Sequence, residues 1–83
     1  MKNILIIDDD KDLCSLLERE LKKENLNSIV CHDGQTGLDA FKTQNYQLVI
    51  LDIMLPVMNG YDVLTEIRKL NNVPVLMLTA KDS

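Results

Sequence analysis

Leu48-Val49-Ile50-Leu51 runs straight into Asp52, and this short apolar stretch constrains the fold more than any other feature of the chain. A segment that is apolar at successive rather than alternate positions reads as a strand covered on both faces. Such strands belong to parallel sheets, whose crossover connections place helices on either side. Ligands of these sheets collect beyond the carboxyl ends of the strands. Asp52 is the last residue of its strand and sits at that address. A loop with Met54 and Pro56 follows, and Gly60 then opens an apolar-periodic segment.

The rest of the chain repeats this alternation. Ile4 to Ile7 read as a buried first strand, stopped by Asp8, Asp9 and Asp10. Leu13, Leu16, Leu17 and Leu21 recur at helical spacing and predict a helix from about Lys11 to Glu24, with Cys14 beside the stripe. Asp9 or Asp10 is placed to cap it, Lys22 and Lys23 fall in its last turn, and Asn25 ends it. Ser28 to Cys31, with Leu26 nearby, predict a short second strand. Asp33-Gly34 reads as a turn, with Asp33 capping a short helix that carries Leu38, Ala40 and Phe41. The third strand runs from about Gln47 to Asp52. Asn59 can cap a third helix, whose buried face would be Val63, Leu64, Ile67 and Leu70, with Tyr61 in part. Asn71-Asn72 then turns the chain into VPVLMLT, a fourth strand. Pro74 lacks a donor N–H and belongs at its start or on an edge. Strands alternating with helices through right-handed crossovers make a doubly wound parallel α/β sheet.

Composition narrows the function classes. At 83 residues the chain is one small domain. With 46% hydrophobic residues it is too apolar for a disordered acidic tail. A net charge of -4 without a basic stripe argues against direct nucleic-acid contact by this segment. Cys14 and Cys31 fit neither a zinc spacing nor a disulfide framework, and read as small buried hydrophobes of a reducing compartment. No secretory leader is visible, and no apolar run approaches the roughly 20 residues of a membrane span, so the expected location is the cytoplasm. His32, without a second histidine, reads as a surface or turn residue.

The acidic residues carry the chemistry. The first strand ends at Asp8-Asp9, the third at Asp52 and the fourth at Thr79, all on one edge of a parallel sheet. With the first and third strands as neighbours, the three carboxylates converge. Like charges that close need a cation, and magnesium, bound through a few protein oxygens plus water and phosphate, suits so sparse a set. A carboxylate facing that ion is a candidate nucleophile toward a phosphoryl group. The Thr79 hydroxyl could then donate to a phosphoryl oxygen. Taken singly, each of these residues is more simply a turn, cap or strand-end residue.

The segments ILIIDDD, LVILDIMLPVMNG and VPVLMLTAKDS together resemble the response-regulator receiver domains of two-component signalling. The closest likeness is to the receivers of winged-helix transcription regulators. The resemblance spans the whole chain, and D-x-x-L-P-x-x-x-G is its most specific motif. It implies a flavodoxin-like receiver fold with strand order 2-1-3-4-5. It also implies that Asp52 accepts a phosphoryl group from the phosphohistidine of a sensor histidine kinase. Asp9 would be a direct magnesium ligand, Asp8 would act largely through water, and the Met54 backbone carbonyl would be a further ligand. Thr79 would be the switch hydroxyl, Ala80 the small residue leaving room for the phosphate, and Pro56 and Gly60 would shape the loop.

The chain ends soon after the fourth strand. The family continues there with a last strand, two more helices and a lysine that pairs with the phosphoryl group. Residues 1–83 are therefore expected to be the N-terminal part of a single receiver domain. DNA would be reached only through an output domain beyond it. The fourth strand would be an exposed edge, and association of two copies through that edge or the bare sheet face is expected. Two other readings remain at this level: an idle assembling fragment, and a small magnesium-dependent phosphohydrolase. The second would need D-x-D-x-T on the nucleophile strand, where this chain has Asp52, Met54 and Pro56.

Overall fold

The computed structural model describes residues 2–78. Along the chain come β1 (Asn3–Ile7), α1 (Lys11–Lys23), β2 (Asn27–Cys31), α2 (Gly34–Phe41), β3 (Leu48–Asp52), α3 (Gly60–Leu70) and β4 (Val75–Leu78). The strands form one parallel sheet in the order β2-β1-β3-β4, the doubly wound arrangement expected.

Alternation along the two central strands sends side chains to opposite faces and so builds two core layers. Leu5, Ile7, Val49 and Leu51 meet Leu38 and Phe41 of α2 and Val63 and Ile67 of α3. On the other face Ile4, Ile6 and Ile50 pack with Cys14 of α1, flanked by Leu17 and Leu21. Leu5, Ile6, Ile7, Val49 and Leu51 are fully covered, each contributing roughly 1.5–3 kcal/mol of transfer free energy. The consecutive apolar run was thus a sound sign of a strand buried on both sides.

Side chains punctuate each helix. Asp10 caps α1, accepting from the Leu13 N–H at 3.1 Å; Asp33 caps α2 through Thr36 at 2.8 Å; Asn59 caps α3 through Asp62 at 3.1 Å. The exit of α1 is a Schellman motif. Asn25 takes φ 62, its N–H bonds to the Lys22 carbonyl, and the Leu26 N–H bonds to the Leu21 carbonyl. Leu21 and Leu26 then close the turn against the same core layer.

The helix faces depart from expectation at two leucine positions, Leu70 and Leu16. Tyr61, expected to be buried only in part, is 58% exposed, since it lies about 200° around α3 from the buried Val63. Leu70 is 52% exposed because it lines an open groove with the Phe41–Asn45 segment at the helix end. Leu16 is 44% exposed, about 200° around α1 from Cys14. Among the described residues β4 pairs only with β3, and its Leu76 is half-exposed.

Candidate functional site

The site is assembled by strand register. Ile7 of β1 stands opposite Leu51 of β3, so the next residues, Asp8 and Asp52, leave the sheet side by side. Asp9 joins them: one carboxylate oxygen from each of Asp8, Asp9 and Asp52 lies within 4.8 Å of the other two. Burial grades across the cluster. Asp8 is covered, Asp52 half-buried and Asp9 exposed.

Two backbone N–H groups orient the carboxylates. Asp8 Oδ1 accepts from the Asp10 N–H at 2.9 Å, and Asp52 Oδ1 accepts from the Met54 N–H at 3.0 Å. Burial pushes the Asp8 carboxyl above its usual range; the Asp10 N–H opposes this, while the charges of Asp52, Asp9 and Asp10 add to it. The ion pairs among the described residues, Lys23–Glu20 and Lys69–Glu66, lie on helix surfaces and bring no cation to the cluster. Three hard oxygen donors that form no ion pair among the described residues fit a divalent cation of the magnesium or calcium kind.

The loop after Asp52 is held at its neck. The Gly60 N–H bonds to the Ile53 carbonyl at 2.8 Å, and the Ile53 N–H bonds to Leu78 of β4 at 3.0 Å. A Cβ at position 60 would overlap the Asp52 carbonyl oxygen and lie 2.7 Å from the Ile53 Cα, so only glycine fits. Leu55 anchors the loop from inside, being buried. At the tip the Met58 N–H bonds to the Pro56 carbonyl around Val57 at φ 68, a γ-turn of the rare, strained sense.

The predicted acids are therefore brought together. Met54 follows directly, with its N–H on Asp52 and its side chain largely exposed. Thr79 and Ala80 lie outside the described residues. Sequence reasoning missed His32. It is half-buried, and its Nδ1 lies 2.9 Å from the Asp8 carbonyl oxygen. The signal was available in the alignment of IIDD with VCHD, which parallel pairing of the first two strands would have placed side by side.

The model of the response regulator receiver domain matches residues 4–83. The chain belongs to the response regulator receiver family. The receiver is 45% identical over 83 residues to the transcriptional regulatory protein CpxR of Escherichia coli K12, covering all of this chain and 35% of that protein. It is 43% identical over 81 residues to the response regulator ArlR of Staphylococcus aureus, covering 98% of this chain and 37% of that one. It thus spans about a third of the length of these curated relatives. Among solved structures it superposes with a TM-score of 0.90 at 38% identity on the response regulator TrrA of Thermotoga maritima, solved in complex with Mg(2+)-BeF, over 99% of this chain and 72% of TrrA. The same scores hold for a complex of TrrA with the histidine kinase ThkA, with all of this chain and 72% of that one covered. A receiver is a signalling module and not an independent enzyme, which sets aside the phosphohydrolase reading. Among the described residues no helix is long and apolar enough to cross a membrane.

Proposed function

We propose that Asp52 accepts a phosphoryl group from the phosphohistidine of a sensor kinase, and that in the longer protein this event regulates transcription. The observation that carries the reading is the convergence of the Asp8, Asp9 and Asp52 oxygens within 4.8 Å at the carboxyl edge of the sheet, in a chain of the receiver family. Support for the donor and the output comes from relatives: TrrA was solved with a histidine kinase, and CpxR is a transcriptional regulatory protein.

Magnesium would be held by Asp8, Asp9 and Asp52 with the Met54 backbone carbonyl, Asp8 largely through water. When bound, it would neutralise charge developing on the phosphoryl oxygens. The chain's own part is positioning. The Met54 N–H holds one Asp52 oxygen, leaving the other to attack phosphorus. A P–O bond forms to that oxygen while the P–N bond to the donor imidazole breaks, and the imidazole departs with the electron pair and takes up a proton. In this reading Thr79 supplies a hydroxyl to the phosphoryl group.

The test is incubation with Mg2+ and a small phosphoramidate donor, followed by intact-mass measurement. One added phosphoryl group is expected, lost in Asp52→Asn and after chelation. A phosphorylated Asp52→Asn chain would refute the assignment.

Self-association through the β4 edge or the bare sheet face beside it belongs to the same proposal. The half-exposed Leu76 and the single pairing partner of β4 among the described residues support it. Light scattering is expected to give a dimer at micromolar concentration and a monomer for Leu76→Lys; a monomeric parent chain would sink it.

A further inference from the structure

The phosphoacceptor reading makes no use of His32, yet this imidazole touches the backbone of the acidic site. Parallel pairing of β1 and β2 carries one step beyond the strands, with the Asp8 N–H bonding to the Cys31 carbonyl at 3.0 Å. The next rung of a parallel ladder would bring the N–H of residue 33 to the Asp8 carbonyl. The chain turns at that point, because Asp33 becomes the N-cap of α2. The His32 Nδ1 stands 2.9 Å from the Asp8 carbonyl oxygen instead. A carbonyl only accepts, so Nδ1 carries the hydrogen whatever the charge of the ring. The Cys14 thiol reaches the same oxygen from α1 at 3.4 Å.

That carbonyl belongs to the peptide joining Asp8 to Asp9. Rotating this peptide plane changes the ψ of Asp8 and the φ of Asp9 together, and so the direction in which the second carboxylate leaves the backbone. We propose that His32 is a positioning residue of the acidic site, its Nδ1–H fixing the Asp8–Asp9 peptide so that both carboxylates face Asp52. The inference rests on the reading of Asp8, Asp9 and Asp52 as a divalent-cation site. Orienting groups of this kind are worth about 10- to 100-fold in metal affinity.

Charge and positioning predict opposite signs. Removing an imidazole that carries any positive charge would strengthen cation binding, whereas releasing the peptide would weaken it. The experiment is calorimetric titration of the protein with Mg2+. His32→Leu keeps the bulk and loses the donor; His32→Asn places an amide N–H near the Nδ1 position. Leu26→Ala, in the core layer beneath α1, serves as a destabilised control. The expected result is affinity weakened about 10-fold or more in His32→Leu, largely recovered in His32→Asn and unchanged in Leu26→Ala. Unaltered affinity in His32→Leu, failure of His32→Asn to recover it, or an equal loss in Leu26→Ala would overturn the inference. A parent chain that binds no Mg2+ would overturn the cation reading itself, and the inference with it.

Discussion

Asp8 and Asp52 are held by the same device: each rests its Oδ1 on the backbone N–H two residues ahead, Asp10 at 2.9 Å and Met54 at 3.0 Å. The two bonds turn neighbouring strand exits into a matched pair, each carboxylate having one oxygen engaged and, among the described residues, the other without a hydrogen bond. They also fix negative charges close together, which adds to the larger effect of burial in raising the Asp8 carboxyl.

Burial and the neighbouring aspartates raise the Asp8 carboxyl above 3.8, so the native chain holds this proton more tightly than the unfolded one. Asp8 therefore subtracts from stability as pH rises through its raised value, and favours the fold most below the ordinary range. Asp33 has the opposite sign. Its carboxylate, stabilised by the Thr36 N–H, lends stability above its ordinary value and loses it as pH falls. In chelator, Asp8→Asn keeps the acceptor for Asp10 and is expected to raise the melting temperature at neutral pH by a few degrees. The advantage should shrink toward pH 3, and Mg2+ should stabilise the parent more than the variant. Thermal melts across pH, with and without Mg2+, check both signs.

Gly60→Ala should be severe for its size. The added methyl meets backbone at Asp52 and Ile53, which cannot swing aside as a side chain can. A loss of about 3 kcal/mol is expected, at the upper end for overpacking. Urea unfolding measures it.

Val57→Gly should stabilise. A β-branched residue at φ 68 sits where its Cβ crowds the backbone, and the Val57 side chain is fully exposed, so nothing is lost in packing. A gain of about 1 kcal/mol is expected, tempered by the greater entropy of glycine in the unfolded chain. The same urea experiment reads it.

Cys14 should be inert in the native state. It is buried, and desolvation with the charges of Asp8 and Asp10 pushes its thiol up to about 11. At pH 8 the reactive thiolate is about a thousandfold less populated than the thiol. In a Cys31→Ser variant, which removes the partly exposed second thiol, labelling of Cys14 by a thiol reagent is expected to follow unfolding, accelerating with denaturant. Rapid labelling in buffer would contradict the buried placement.

Much of this was legible before any coordinates. Apolar runs and caps located every described strand and helix to within one or two residues, because turn residues such as Asp33, Asn59 and Asn25 act locally. Asp8, Asp9 and Asp52 were legible because strand ends in a parallel sheet share an edge. The exposure of Leu70 and Leu16 was not, since helical periodicity does not say how far a helix face overlies the sheet. His32 was missed for a related reason. Its role depends on where β2 stops pairing with β1, a property of register between distant segments and not of the residues around it.

The bond from the Ile53 N–H to the Leu78 carbonyl gives the site an outlet. A displacement of the backbone just after Asp52 is shared at once by the exit of β4. Strands β1 and β3 are braced by a neighbour on each side, whereas β4 is braced, among the described residues, only by β3. Part of any mechanical load applied at the acidic pocket therefore leaves through an edge strand of the described sheet.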